Sequence, residues 1–221
     1  SPSVPLHIRR QQRYTGDQHD RAFIVAGAMK ADLVADIRNS VQKAIEEGKS
    51  IGQFRKEFKE IVAKHGWTDW TGSDSKAGIR WRTRMIYKTN LDTSYAAGRW
   101  QQMTDPDVMR RRPIWRYVHT TKRYPRLIHK KWHNVCLPAG HPWFIKRWGP
   151  NDFGCNCYVQ AINQRELEAL GKTELDQPPE DGTWEHVHPV TGEVTQVPEG
   201  VGYGWDYAPG KTASETAMAA R

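Results

Sequence analysis

The hydrophobic period of this chain changes once, at Pro113, and the change divides what each half can fold into. Before it, apolar residues recur at three- and four-residue steps, the spacing that gathers them on one face of an α-helix. Phe23, Ala26, Met29, Leu33, Ile37, Val41 and Ile45 keep that spacing across 20–47, and Gly48 ends the run. Ser50 and Gln53 stand at capping-box distance ahead of a second stripe, Phe54, Phe58, Ile61 and Val62, which Gly66 stops. A loop over 67–75 leads to a third helix over 76–103, broken at Asp105-Pro106. After Pro113, Trp115, Tyr117 and His119 alternate with Arg116 and Val118, the pattern of a half-buried strand.

The second half is punctuated by Pro125, Pro138, Pro142 and Pro150, so it reads as loops around short elements. These are a helical turn across 127–133, a strand over 157–162 and a short helix capped by Asn163, with Glu166 three residues on. Val190-Thr191-Gly192-Glu193-Val194 marks a hairpin turn. The expected fold class is α+β: a helical N-terminal half, then a small, loop-rich, mixed α/β unit. The expected organisation is an extended arm over 1–19, a helical region over 20–75, an α+β domain over 76–171, and an acidic linker, hairpin and tail over 172–221. No internal repeat is found.

The formal charge of +8 is unevenly spread: residues 1–75, 76–147 and 148–221 carry +2, +14 and −8. A local excess of +14 suits a polyanion such as DNA. It suits an acidic protein surface equally well, the chain's own last third included. The longest apolar stretch, 22–29, is far too short to span a bilayer, which excludes an integral membrane protein, and no secretion signal is read. Trp81, Trp100, Trp115, Trp132, Trp143 and Trp148 are interleaved with Arg and Lys. Such rings either stack on bases or, as is commoner at this density, form a core with arginines across their faces.

A unit this irregular needs a staple, and Cys155-Asn156-Cys157 offers one. Gly154 lets the chain turn so that both sulfurs meet one ion. His129 and His133, four residues apart on a helical turn, face the same side. Two Cys and two His make up the tetrahedral donor set of structural zinc. His141 is a further histidine in the region, and Cys136 is left as a packed thiol. The other reading makes the cysteines small buried residues and the histidines hydrogen-bonding groups. A catalytic reading assigns His119, His129, His133 and Lys130 to metal-independent phosphodiester cleavage. No Gly-rich phosphate loop, nucleophile elbow or His-Glu-x-x-His motif is present. Asp92, Asp105 and Asp107 are the only carboxylates of the basic block, so a two-metal site is not expected there.

The stretch Arg82-Thr83-Arg84-Met85-Ile86-Tyr87-Lys88-Thr89-Asn90-Leu91, continued by Tyr95-Ala96-Ala97-Gly98-Arg99, resembles the signature of phage head morphogenesis proteins of the Mu protein F type. Further segments resemble the same family in the same order. They are Trp115-Arg116-Tyr117, Arg126 with His129 and His133, Gly149-Pro150-Asn151-Asp152-Phe153-Gly154-Cys155-Asn156-Cys157, and Gly204-Trp205-Asp206-Tyr207-Ala208-Pro209-Gly210. In that family Arg commonly stands at the position of Asn156, and an acidic residue at that of His141. The resemblance thus favours His133 as the fourth ligand beside Cys155, Cys157 and His129.

The resemblance implies a non-enzymatic minor head protein of tailed phages, required for head morphogenesis. It would reside in the virion near the portal, and in the host cytoplasm during assembly. It would contact packaged DNA and aid packaging or ejection. Its implied partners are the portal, the major capsid or scaffolding protein, and double-stranded DNA, with no membrane; the cofactor expected from the donor set itself is a structural zinc. The residues expected to touch DNA or the portal are Arg80, Arg82, Arg84, Arg110, Arg111, Arg112, Arg123, Arg126, Lys130 and Lys131. The alternatives are a nuclease or toxin-like effector carried in a phage head, and a protein-interaction module without nucleic-acid binding.

Overall fold

The computed structural model describes residues 31–68, 70, 72–120, 124–188 and 191–212. The arm expected over 1–19, the first part of the helix expected from residue 20, and Arg123 lie outside the described residues. Three helices follow one another: α1 (Ala31–Glu46), α2 (Ile51–Lys64) and α3 (Lys76–Met103). The capping box that opens α2 is complete, with Ser50 accepting from the Gln53 amide and the Gln53 side chain accepting from the Ser50 amide. The apolar stripes meet as expected: Leu33, Ile37 and Val41 of α1 pack on Phe54 and Phe58 of α2 and Ile86 of α3, with Trp70 between.

Helix α3 has 28 residues, a rod of about 42 Å at 1.5 Å per residue. Its first half gives Ile86 to the helical core. Its second half gives Ala96, Trp100 and Met103 to a larger, aromatic core. One helix therefore serves both cores. Pro106 does more than stop it: Asp105 accepts from the amides of Asp107 and Val108 and starts α4 (Pro106–Arg111). Proline is tolerated at that first position because its missing N–H would have no intrahelical partner.

Beyond Pro113 the strand β1 (Ile114–Val118) lies at the centre of an antiparallel sheet, between β2 (Cys136–Pro138) and β3 (Tyr158–Ile162). Short helices α5 (Leu127–Lys131), α6 (Pro142–Ile145) and α7 (Gln164–Ala169) fill the connections, and β4 (Thr183–Val187) pairs with β5 (Val194–Pro198) as a hairpin. The chain is mixed α and β, as the change of period requires. Alternation along β1 places Trp115 and Tyr117 in the aromatic core, while Ile114 joins Cys136, Ile162 and Leu167 in a small separate cluster. The proline-rich stretch holds two elements that pattern alone does not reveal, β2 and α6, each too short to establish a period.

Tryptophans build the larger core. Trp148 meets Trp100 at 4.8 Å and Trp115 at 4.9 Å between ring centroids, both edge to face, the arrangement that aromatic quadrupoles prefer. The Arg147 guanidinium lies 5.2 and 5.0 Å from the ring centres of Trp132 and Trp143. Trp81 is the exception, 52% exposed. The acidic segment read as a linker is tied to this unit: Asp176 accepts from the Cys136 amide and Asp181 from the Trp132 indole, each at 2.7 Å. Arg112–Glu166, Arg126–Asp152 and Lys131–Asp181 join the basic block to the acidic one. Part of the +14 is thus answered inside the molecule. No helix of the described residues is long and apolar enough to cross a membrane.

Trp148 also donates its indole N–H to the Ala96 carbonyl of α3 at 3.0 Å, so it fastens the sheet unit to the rod. Trp148→Ala is expected to cost about 3–5 kcal/mol, and Trp81→Ala no more than about 0.5 kcal/mol, in denaturant unfolding followed by far-UV circular dichroism.

Candidate metal centre

The loop over 149–157 folds back on its own end. Gly149 has φ +85°, and a Cβ there would stand 2.4 Å from the Cys157 carbonyl oxygen, so only glycine allows the approach. The Cys155 amide donates to the Asp152 carbonyl at 3.0 Å, and the Cys157 amide donates to Cys155 Sγ at 3.5 Å. Backbone hydrogen bonds from Asn151 and Thr120 reach Cys155 and Cys157 respectively. Both cysteines are buried and free of disulfides.

His129 comes from α5. Its Nδ1 lies 3.6 Å from each sulfur, while its Nε2 donates to the Gly200 carbonyl at 2.6 Å. That bond fixes the tautomer, leaving the Nδ1 lone pair toward the sulfurs. Trp132 stacks on the ring at 5.0 Å. The three donor atoms of His129, Cys155 and Cys157 lie within 4.8 Å of one another. Zn–S near 2.3 Å and Zn–N near 2.0–2.1 Å give a tetrahedral N–S edge of about 3.6 Å. The two N–S separations match that edge, so the residues fit the ion.

The electrostatics agree. Cys155 is held far below the ordinary thiol range, chiefly by a hydrogen bond from Cys157 and further by His129, against the effect of burial. Cys157 is pushed up by the same bond and by burial. A cation held at this point would bind the sulfurs as thiolates and displace their protons. Burial, then the charge of Cys157, raises Tyr117 well above its usual range. Asn151 donates to the Tyr117 hydroxyl at 2.8 Å, and that hydroxyl is hydrogen-bonded to Cys157.

The structure brings together three of the four expected ligands. Helix α5 ends at Lys131 and Asn134 takes φ +69°, so the four-residue helical relation between His129 and His133 is lost. His133 is exposed and accepts from the His119 amide at 3.1 Å. His119 instead reaches the cluster, with Nδ1 3.3 Å from Cys157 Sγ. The alternation along β1 carried that signal, since it places His119 on the face of Trp115 and Tyr117. His141 caps α6 by accepting from the Trp143 amide. Cys136 donates to the Asn134 carbonyl, and burial raises its thiol.

Among the expected contact residues, Arg80, Arg84, Arg110, Arg111, Arg126, Lys130 and Lys131 are exposed. Arg110 pairs with Asp107, Arg126 with Asp152 and Lys131 with Asp181. Arg112 is half-buried on Glu166, and Arg82 is buried with its guanidinium over Trp67, where desolvation lowers it to about 10. A basic cleft of about 240 Å³ lies between α2 and α3, lined by Arg55, Lys56, Lys59, Lys76, Ile79 and Arg80. Block charges concealed it because Glu57 and Glu60 offset Lys56 and Lys59 in the count, whereas Glu57 is held elsewhere, by Ser40 and Lys49.

Residues 35–160 match the family described as Phage Mu protein F like protein. The chain is 31% identical over 222 residues to the "Mu-like prophage FluMu F protein" of Haemophilus influenzae, across 91% of this chain and 52% of that protein. It is 27% identical over 227 residues to the "Putative capsid assembly protein F" of Escherichia phage Mu, across 92% of this chain and 51% of that protein. The chain thus spans about half the length of these relatives. No solved structure matches it.

Gly200 has φ +80° and carries the carbonyl that orients His129, and a Cβ on it would stand 2.5 Å from the Trp132 ring. Gly200→Ala is expected to destabilise by about 1–3 kcal/mol through overpacking. Gly98→Ala, on an open helical position of α3, should instead stabilise by roughly 0.5–1 kcal/mol. Urea unfolding of the two variants checks both signs.

Proposed function

The chain belongs to the family of Phage Mu protein F like proteins, and from that membership we propose that it is a phage head-assembly protein. The observation that carries this reading is the family match over 35–160, which takes in most of α1, all of α2 and α3, and the His129, Cys155 and Cys157 cluster. The protein is a minor component of the virion near the portal, present in the host cytoplasm during assembly, and it acts without enzymatic chemistry. Its partners are other head proteins, the portal first among them, and double-stranded DNA. His129, Cys155 and Cys157 hold a structural zinc, which supplies a cross-link between α5 and the loop over 149–157, while the His129–Gly200 hydrogen bond ties in the turn at Gly200.

The DNA reading rests on the cleft of Arg55, Lys56, Lys59, Lys76 and Arg80, whose lining contains no carboxylate. Its exposed Lys56, Lys59, Lys76 and Arg80 would meet phosphates, which gives affinity without sequence preference. Nuclease action finds no support in the cluster. His129 is buried with its Nε2 committed to Gly200, and His133 is engaged by the His119 amide.

Two measurements test the proposal. Purified virions of the phage encoding the chain should contain it at low copy number, and absence from virions removes the head-protein reading. Reversing Lys56, Lys59 and Arg80 to Glu should weaken duplex binding by at least roughly tenfold. It should also flatten the slope of log affinity against log salt by about 2–3. An unchanged slope would sink the cleft as a phosphate surface.

A further inference from the structure

Three protein donors leave a zinc site with one coordination position undecided, and that position separates two kinds of centre. A closed site with four protein ligands is structural; a site with three keeps water or substrate in the fourth place and is built for catalysis. A cleft of about 130 Å³ touches the cluster, lined by Cys155 and Cys157 together with Asp92, Arg99 and Trp148. An open fourth position facing this cleft would give a hydrolytic centre flanked by a carboxylate and a guanidinium.

We propose that His119 closes the site as its fourth ligand, through Nδ1, and that the centre is structural. The inference rests on the zinc reading given above and goes beyond it by naming the donor that completes the set. His119 Nδ1 stands 3.3 Å from Cys157 Sγ, close to the 3.6 Å that separates His129 Nδ1 from each sulfur. All three separations lie near the tetrahedral N–S edge of about 3.6 Å; His119 stands just outside the set of donors that lie within 4.8 Å of one another, so its ring must swing toward Cys155 and His129 to close the site. Two further contacts hold His119 where it is. Its amide donates to His133 Nδ1 at 3.1 Å, and the next residue, Thr120, is hydrogen-bonded through its backbone to Cys157. His133 is thus a positioning residue for the ligand rather than a ligand.

Chain geometry supports the assignment. The buried strand β1 enters from Trp115 and Tyr117, both fully buried, and His119 follows on the same face by alternation. Its backbone is fixed by the sheet one residue earlier, where Val118 pairs with Tyr158, the neighbour of Cys157. The sheet register therefore brings His119 to the sulfur with little freedom. His119 does not line the cleft that borders the sulfurs, so as a ligand it would occupy the coordination position on the side away from that cleft.

The test uses the full chain, stripped of metal and titrated with Zn²⁺ and with Co²⁺. Wild-type protein should bind one equivalent of either ion, and the cobalt form should show the intense visible bands of a four-coordinate site with two thiolates. His119→Ala should weaken zinc at least roughly 100-fold, more than the 10–100-fold of an outer-shell loss, and should shift the cobalt bands. His119→Cys, which restores a donor, should recover both affinity and four-coordination, a rescue that a merely structural histidine would not show. His133→Ala should have a much smaller effect. Zinc affinity and cobalt bands unchanged in His119→Ala would overturn the inference while leaving the zinc reading intact. Failure of the wild-type chain to bind either ion would instead remove the zinc reading itself.

Discussion

Two sulfurs and an imidazole buried at one point are the constraint around which the second half of this protein is arranged. Cys155 and Cys157 come from a loop, His129 from a five-residue helix, and the carbonyl that orients His129 from Gly200, 71 residues further on. None of these segments has a periodic apolar face long enough to hold its position alone. Buried polar donors must be paired or they cost more than they contribute, and here each is paired with another segment. The backbone amide of Cys157 and the ring of His129 both turn toward the sulfurs, and Tyr117 and Asn151 form a further shell. Breaking one member leaves the others buried without a partner, so the cluster acts as a unit.

The aromatic core is the other half of this arrangement. Trp132 stacks on His129 and packs edge to face with Tyr117 and Trp143. The chemistry of the cluster and the packing of the core are therefore the same contacts seen from two sides. Helix α3 carries this unit to the helical one: Trp100 and Ala96 belong to the aromatic core, Ile86 to the other. The chain holds its basic cleft on the helical end and the cluster of His129, Cys155 and Cys157 on the other. The cleft needs only exposed side chains on two packed helices, while the cluster needs the register of a sheet.

Charge behaves differently from what block totals suggest. The middle block is strongly basic, yet Arg82 and Arg147 are buried against tryptophans, and Arg112, Arg126 and Lys131 face carboxylates of the last third. Conversely, the nearly neutral first block places Arg55, Lys56 and Lys59 on one lining. A helix separates residues by face, so opposite charges adjacent in sequence need not cancel in space.

Local rules were enough for the elements they govern. The capping boxes at Ser50 and Asn163, the 28-residue helix and the alternation of Trp115 and Tyr117 all follow from spacing and hydrogen-bond chemistry within a few residues. So do the change from helix to strand at Pro113 and the candidacy of Cys155, Cys157 and His129, since donor type and spacing are written in the chain. The tertiary structure alone decided which further histidine comes near them. The relation of His129 to His133 depended on a helix that ends two residues too early, because nothing local extends it. The approach of His119 to Cys157, 38 residues further on, depends on the strand pairing of Val118 with Tyr158. Local patterns fix which groups are available; only long-range register determines which of them meet.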